Sequence, residues 1–398
     1  MTRHFTLDDV DVAGKRVLLR VDFNVPVENG KVTDATRIEH ALPTIRELIA
    51  KKSRVIIVAH FDRPKGKRVP EMSLKQIHGA VETVLGLKVG WCDDCIGPEA
   101  EAAVAAMAPG SVLLLENVRY HKGEEANDPA FAASLARLGD VYVNDGFSIA
   151  HRAHASVEAI TKLMPHAAGR GMQAELEALA RVLLTPQRPV AAIVGGAKVS
   201  TKLDLLENLA ARVNMIIIGG GMANTFIGAR GFETGKSLVE RDLYAKAREI
   251  EEKAKKLGCE LVLPEDGLVA HEFKSGARAH VFSTTQLPAE GMMLDIGPAS
   301  IEAVKTKLGQ VRTIVWNGPM GAFELDGFDK GTMAIAHEVS RLTRAGKLVS
   351  VAGGGDTLAA VNKAGVADML TYVSTAGGAF LEWLEGKELP GVKALEKH

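Results

Sequence analysis

Short apolar runs that break off in a charged or glycine-rich cluster, each followed by a helix-like stretch, recur along this chain. That alternation restricts the fold more than any other feature. In the first half, 16–21 runs into Asp22-Phe23-Asn24 and 55–59 into His60-Phe61-Asp62-Arg63-Pro64. Residues 112–115 run into Glu116-Asn117-Val118-Arg119, and 141–143 into Asn144-Asp145-Gly146, with His151-Arg152-Ala153-His154 soon after. Helix-like stretches at 36–51 and 99–108 lie between them. Strands alternating with helices predict a parallel sheet covered by helices on both faces. In such sheets ligands bind at the carboxyl ends of the strands.

The second half repeats the alternation, but its strands end in glycine. Residues 190–194 end in Gly195-Gly196, 215–218 in Gly219-Gly220-Gly221, and 348–352 in Gly353-Gly354-Gly355-Asp356-Thr357. Residues 313–315 lead to Trp316-Asn317-Gly318-Pro319, and 371–373 to Ser374-Thr375-Ala376-Gly377-Gly378. The run 261–263, ending in Pro264-Glu265-Asp266, is the exception. Between the halves, 169–185 reads as one amphipathic helix closed by Pro186 and Pro189. A chain of 398 residues exceeds one ordinary core. The expected fold is α/β: two doubly wound parallel-sheet (Rossmann-like) domains, 1–170 and 171–385, joined by a connector helix and hinge at 171–188.

The stretch 189–208 combines a strand, the glycine turn Gly195-Gly196, Lys198, a helix start expected at Ser200-Thr201, and Lys202. Glycine lets backbone amides approach an anion, and a helix N-terminus adds about half a positive charge. The first half instead offers cationic side chains, which suit a small polyanion. Two such surfaces joined by a connector suggest group transfer across a cleft. A net charge of −1 excludes a bulk electrostatic role on nucleic acid or an acidic membrane. The longest apolar runs fall well short of the ~18 residues of a membrane span, and 1–15 shows no apolar signal segment. Three cysteines in a long chain fit a reducing, cytoplasmic setting.

Each motif also has a plainer reading. Arg20, Asp22 and Asn24 share one strand face and could form a structural ion pair. Basic residues after successive strands, Arg37, His60, Arg63, Arg119, Arg152 and His154, favour an anion pocket instead. Gly353 to Thr357 could place Asp356 on a magnesium ion or make it a helix N-cap. The Gly231-to-Ser237 segment resembles a Walker loop, but its glycines are one residue too close. Gly219-Gly220-Gly221 does not match the dinucleotide fingerprint, which disfavours a nicotinamide oxidoreductase. Cys92 and Cys95 have zinc-like spacing, but no second pair completes a tetrahedral site, so they read as free thiols.

Taken together, the motifs resemble the phosphoglycerate kinase family over the whole chain. They are Arg20-Val21-Asp22-Phe23-Asn24-Val25-Pro26, the segment from His60 to Pro64, the one from Glu116 to His121, and His151-Arg152-Ala153-His154. They continue with the segment from Gly195 to Ser200, Gly219 to Met222, Trp316 to Gly321, Gly353 to Thr357 and Ser374 to Gly378. The resemblance implies reversible phosphoryl transfer in glycolysis, from 1,3-bisphosphoglycerate and MgADP to 3-phosphoglycerate and MgATP. It implies a phosphoglycerate-binding first domain, with the tail 386–398 packed back on it, and a nucleotide-binding second domain. Asp22 and Asn24, beside Phe23, then bond the glycerate. Arg37, His60, Arg63, Arg119 and Arg152 hold its phosphate and carboxyl ends, beside Phe61 and Asp62, with Arg20, His151 and His154 completing the basic patch. Lys198 and Lys202 meet the nucleotide phosphates at Gly195. Glu324 bonds the ribose, with Asn317 nearby, and Gly219 and Gly220 border the adenine. Gly353, Gly354 and Gly355 line the phosphates, Asp356 serves magnesium, and Thr357 serves the phosphate chain. The catalytic set is Arg37, Lys198, Gly354 and Gly377, and a monomer is the family expectation.

Two positions depart from the family pattern. Asp62 replaces a usual glycine and is expected to point outward or to pair with Lys65 or Arg63, and Ala376 replaces a common glycine. A carboxylate nucleophile is already ionised near neutral pH, so no general base is required. Catalysis is then positioning and charge stabilisation after the domains close. A nucleotide-dependent regulatory protein without activity is the rival reading, and the intact Arg37, Lys198 and Asp356 speak against it.

Overall fold

The structure is a computed structural model that describes residues 4–397. The outermost residues of the expected domain limits, 1–3 and 398, lie outside it. The chain divides into two compact units, one holding Met1–Leu176 with Glu388–His398, the other Glu177–Lys387.

The first unit is built on a six-stranded sheet, all parallel. Its order is Val89–Cys92, Val112–Leu115, Arg54–Val58, Arg16–Arg20, Val141–Asn144, His166–Ala168. Period-two alternation sends Val17, Leu19, Val55 and Ile57 into one core, and Leu18, Ile56 and Val58 into the core on the opposite face. The outer strands, Val89–Cys92 and His166–Ala168, have no sustained apolar run, so the hydrophobic pattern did not reveal them. The expected helix at 36–51 is two helices, Thr36–His40 and Leu42–Ala50, with Pro43 in the first turn of the second. Proline lacks the amide that would continue the hydrogen-bond ladder. The segment from Glu388 returns to this unit. Leu389 and Leu395 are buried, and the Gly391 amide donates to the Ala150 carbonyl at 2.8 Å. His4 bridges to Glu396.

The second unit has its own six-stranded parallel sheet. Its order is Glu260–Val262, Met215–Ile218, Val190–Val194, Thr313–Asn317, Val349–Gly353, Tyr372–Ser374. Val190–Val194 is buried at every position, as a central parallel strand of small and β-branched residues should be. An addition that the sequence reading did not foresee follows the edge strand. Asp266–Ala270, Ala279–Ser283 and Met292–Ile296 form a separate antiparallel sheet. The Walker-like segment docks on it, with Ser237 Oγ accepting from the Met293 amide at 2.9 Å and Lys236 paired with Glu290.

The connector is an α-helix, Arg170–Leu179, that continues as a π-helix, Ala180–Leu184, rather than one uniform helix. The Thr185 amide reaches back five residues to the Ala180 carbonyl, at 2.9 Å. Pro186 follows and has no donor to extend the ladder.

In both sheets the order reverses beside the first strand of the unit. Arg16–Arg20 lies between Arg54–Val58 and Val141–Asn144, and Val190–Val194 between Met215–Ile218 and Thr313–Asn317, so the chain runs outward from it in both directions. Crevices at the carboxyl ends of such switch points receive ligands in open α/β sheets.

Candidate functional site

The basic cluster of the first unit rests on a buried foundation. Arg20 is fully buried. Its Nε donates to Ser156 Oγ at 2.7 Å and one terminal nitrogen donates to the Val21 carbonyl at 2.5 Å. The other lies 3.3 Å from His60 Nδ1 and 3.8 Å from Glu124 Oε1. Glu124, equally buried, accepts from the Ser156 hydroxyl at 2.6 Å and the Ser156 amide at 2.9 Å. Arg20 therefore lies beneath the patch and supports it, rather than standing in its surface.

A guanidinium only donates, so His60 Nδ1 accepts and the ring proton sits on Nε2. Burial, reinforced by the charges of Arg20, Arg119, Arg37 and His154, holds the His60 imidazole well below its ordinary pKa. His154 is pushed down to about 4 by burial and then by Arg119 and Arg20. Both rings are neutral at pH 7. They are hydrogen-bonding groups, not the cations that the basic patch suggested.

Above them, Asp22 organises the reactive edge. Its Oδ2 accepts from Ser148 Oγ at 2.5 Å and lies 2.9 Å from an Arg37 terminal nitrogen. The same nitrogen donates to the Asn24 carbonyl at 2.9 Å. Asp22 Oδ1 accepts from the Asn24 amide at 3.0 Å. Arg37 sits on the short helix Thr36–His40, whose N-cap position is Ala35, and the Thr36 amide donates to Asp34 Oδ1 at 2.8 Å. Asn24 Oδ1 accepts from the Asp62 amide at 2.9 Å, and Arg119 donates to the Asp62 carbonyl at 2.9 Å. Arg63 and Arg152 are exposed, and among the described residues neither is paired with a carboxylate. His151 is half-buried beside them. Phe23 and Phe61 are core residues, so only their backbone is available to a ligand.

Asp62 contributes backbone alone to this network, and its φ is +52°. That left-handed conformation is the one glycine adopts freely and aspartate tolerates. Asp62 is exposed, as the outward alternative expected, and is not paired with Lys65 or Arg63 among the described residues. Asp62→Gly should change stability by no more than about 1 kcal/mol, because relieved strain and added chain entropy oppose each other. Removing the negative charge beside the guanidinium groups should lower KM for the anionic substrate, on the order of twofold to fivefold. Steady-state kinetics and a thermal melt check both, and a raised KM would count against this reading.

In the second unit many strand-end glycines serve packing. A Cβ on Gly195 would stand 1.8 Å from the Pro319 carbonyl oxygen, and one on Gly219 would stand 2.8 Å from Met320 Cα. On Gly220 it would meet the Gly196 oxygen at 2.6 Å, and on Gly353 the Phe380 ring at 2.6 Å. These glycines let three strand-end loops lock together. Gly355 and Gly377 differ, since a Cβ there would meet open space. Gly354, with φ +97°, is the N-cap of the helix Gly355–Lys363. Asp356 is therefore not the N-cap. It lies exposed in the first turn, with its carboxylate free of a capping bond.

The two lysines occupy different places. The expected helix start at Ser200-Thr201 is a 3-10 turn, Val199–Thr201, and the α-helix begins at Leu203. Ser200 is held instead by Glu240, through its amide at 3.0 Å and its hydroxyl at 2.5 Å. Lys198 is exposed just before this turn. Lys202 is partly buried and its Nζ donates to Asn317 Oδ1. Burial lowers its pKa, against the charges of Glu385 and Asp356. Asn317 Nδ2 donates to the Gly353 carbonyl at 2.9 Å, joining two strand ends. Thr357 is buried and its Oγ1 accepts from the Gly318 amide at 2.7 Å.

Beside these groups opens a cavity of about 630 Å³. Gly220, Glu324 and Asp356 line it together with Leu238, Phe273, Met292 and Phe323. Largely apolar walls with a few polar groups, Asn224, Lys236, Asp295, Glu324 and Asp356, suit a flat base carrying a charged tail. Of the expected nucleotide-site residues only Gly220, Glu324 and Asp356 line it; Gly195, Lys198, Lys202, Gly219, Asn317, Gly353, Gly354, Gly355, Thr357 and Gly377 are outside the lining. The foundation residues Glu124, Ser148 and Ser156 and the apolar walls of this cavity were not evident in the sequence. The aspartate at 145, which accepts from the Met172 amide at 3.0 Å in the first turn of the connector helix, was quoted there only as a strand end. Burial pushes its carboxyl up to about 6.

Comparison with known proteins agrees with this geometry. The family model for phosphoglycerate kinase matches residues 7–387. The chain is 59% identical over 391 residues to a phosphoglycerate kinase of Cereibacter sphaeroides (strain ATCC 17029 / ATH 2.4.9), and 60% identical over 393 residues to one of Sinorhizobium medicae, covering 98% of each chain in both cases. Among solved structures, phosphoglycerate kinase from Coxiella burnetii superposes with a TM-score of 0.92 at 42% identity, over 99% of both chains. That from Pyrococcus horikoshii does so with a TM-score of 0.82 at 30% identity, over 98% of both. From its arginine-bearing and glycine-bearing strand ends to its match along nearly the whole length, the chain belongs to the phosphoglycerate kinase family and carries that family's glycolytic kinase activity with a magnesium-bound nucleotide.

Proposed function

We propose that the first unit binds the phosphoglycerate and the second the nucleotide, and that the phosphoryl group passes in line between 1,3-bisphosphoglycerate and MgADP, giving 3-phosphoglycerate and MgATP. The observation that carries this reading is the division of chemistry between the two sheet ends. One presents Arg37, Arg63, Arg119 and Arg152 over a buried Arg20–Glu124 base. The other presents a largely apolar cavity with Glu324 and Asp356 in its lining.

In this reading Arg37 and Lys198 neutralise the oxygens of the transferring group, and the amides at Gly354 and Gly377 add oriented dipoles. Lys202, anchored on Asn317, holds the nucleotide phosphates in place. Asp356, an exposed carboxylate with no capping duty, offers the hard oxygen donor that magnesium prefers. Magnesium, when bound with the nucleotide, offsets phosphate charge. His60 and His154, being neutral, donate hydrogen bonds to the substrate without taking part in proton transfer. In-line transfer needs the two ligands to meet, so the proposal includes the domain closure expected from the sequence. Three free cysteines support a cytoplasmic setting.

Lys198→Ala tests the assignment of roles. Its exposure leaves the fold undisturbed. Turnover should fall by about 10²–10³-fold, while ADP affinity measured by calorimetry changes far less. Equal losses in both would make Lys198 a binding residue and overturn its proposed part in transfer.

A further inference from the structure

The Cys92-to-Cys95 segment had no partner in the sequence, but the fold supplies one. Val89–Cys92 and Val112–Leu115 are adjacent parallel strands, with Cys92 in register with Leu115. Their carboxyl ends therefore open side by side. The turn after the first carries Asp94 and Cys95. The second leads through the 3-10 turn Val118–Tyr120 to His121. One ligand atom each of Asp94, Cys95 and His121 lies within 4.8 Å of the others. His121 Nε2 stands 2.7 Å from Asp94 Oδ1, and the ring is stacked on Phe131 at 5.2 Å. The Cys95 amide donates to the same Asp94 oxygen at 2.7 Å, which holds the carboxylate at the turn.

We propose that Asp94, Cys95 and His121 form a binding site for a soft divalent cation, of the class of zinc, separate from the magnesium-nucleotide site. Thiolate, imidazole and carboxylate make the donor set that zinc prefers and magnesium does not. A thiolate and a carboxylate together carry −2, which matches a divalent ion. Three protein ligands leave the fourth tetrahedral position to water. On binding, the Cys95 thiol releases its proton to solvent, and the Nε2 proton that His121 shares with Asp94 Oδ1 is given up as well, so that the imidazole carries its one proton on Nδ1 while Nε2 takes the metal. Arg68 stands 3.4 Å from Asp94 Oδ2 and donates to the Asp93 carbonyl at 2.8 Å.

The test is cobalt titration of the full chain, stripped with a chelator and free of nucleotide. One equivalent of Co2+ should bind with a thiolate-to-cobalt charge-transfer band and tetrahedral absorption, and Zn2+ should displace it. Cys95→Ser should abolish the band, and Cys92→Ser should keep it. His121→Gln, at a partly exposed ring, should weaken binding by more than the ~10–100-fold that outer-shell losses cost, and it carries the test if Cys95→Ser does not fold. Absence of the band in the unaltered chain, its survival in Cys95→Ser, its loss in Cys92→Ser, or unchanged affinity in His121→Gln would each overturn the assignment.

Discussion

Arg37→Ala should lower turnover by about 10²–10³-fold, equivalent to roughly 2.7–4 kcal/mol of lost transition-state stabilisation, in a chain that remains folded. The nucleophile in the direction of ATP consumption is a carboxylate and needs no base, so charge stabilisation and positioning carry the rate. Arg37 is the guanidinium that the structure aims most deliberately. Asp22 and the Asn24 carbonyl both grip one terminal nitrogen, leaving the rest of the fork available. Its own side chain is 36% exposed but that of Asp22 only 8%, so losing the ion pair should cost about 1–3 kcal/mol of stability. Asp22 would keep its bonds to Ser148 and the Asn24 amide. Arg37→Lys should recover part of the loss, because a point charge replaces the charge but not the planar fork. Steady-state kinetics beside a circular dichroism melt separates the outcomes. Turnover within tenfold of the unaltered enzyme would remove Arg37 from the catalytic set.

Glu124→Ala should have the largest effect on stability, about 3–5 kcal/mol. That is a large share of the roughly 5–15 kcal/mol that holds a typical domain. The cause is the charge it leaves behind. Arg20 would stay buried, with Ser156 and the Val21 carbonyl but no carboxylate. Glu124→Gln preserves shape and an acceptor while removing the charge, and should be nearly as damaging. Replacing both partners with apolar residues, Arg20→Met with Glu124→Leu, should recover stability relative to the single change, while substrate affinity suffers because His60 loses its donor. Urea denaturation of the three variants decides the matter. A Glu124→Ala loss under 1 kcal/mol would mean that the Arg20 charge is accommodated without its partner.

The strands and the polarity of their ends were legible in the sequence because both are local. A buried parallel strand is an apolar run, and the residue after it is the one facing a ligand. Asp22 and Asp356 could thus be singled out by their places after a strand, and Arg37 by its place at a helix start. The foundation was not legible, because it depends on a contact between residues far apart along the chain. Nothing near Glu124 marks it as the partner of Arg20. For the same reason the glycines of the second unit looked like open cradles, when Gly195 and Gly220 are shaped by Pro319 and Gly196 arriving from other strands. The role of Asp62 became clear only with its φ, which shows why glycine is usual there. The antiparallel addition at 266–296 broke the alternation without announcing its own pattern. Its strand Ala279–Ser283 is largely exposed and carries little apolar signal.

The return of the chain from Glu388 to the first unit sets an order of events during synthesis. Residues up to Leu176 leave the ribosome first, and domains generally begin to fold as they emerge. This one must wait. The side chains of Leu389 and Leu395, and the strand-like pairing of residue 396 with His4, become available only after the entire second unit has been translated. For that interval the first unit is a nascent domain with part of its apolar surface uncovered around Ala150 and Val157, where Gly391 will pack. The closing segment thus works as a late-arriving seam, and the nascent chain is most open to chaperones and proteases just before that seam is made.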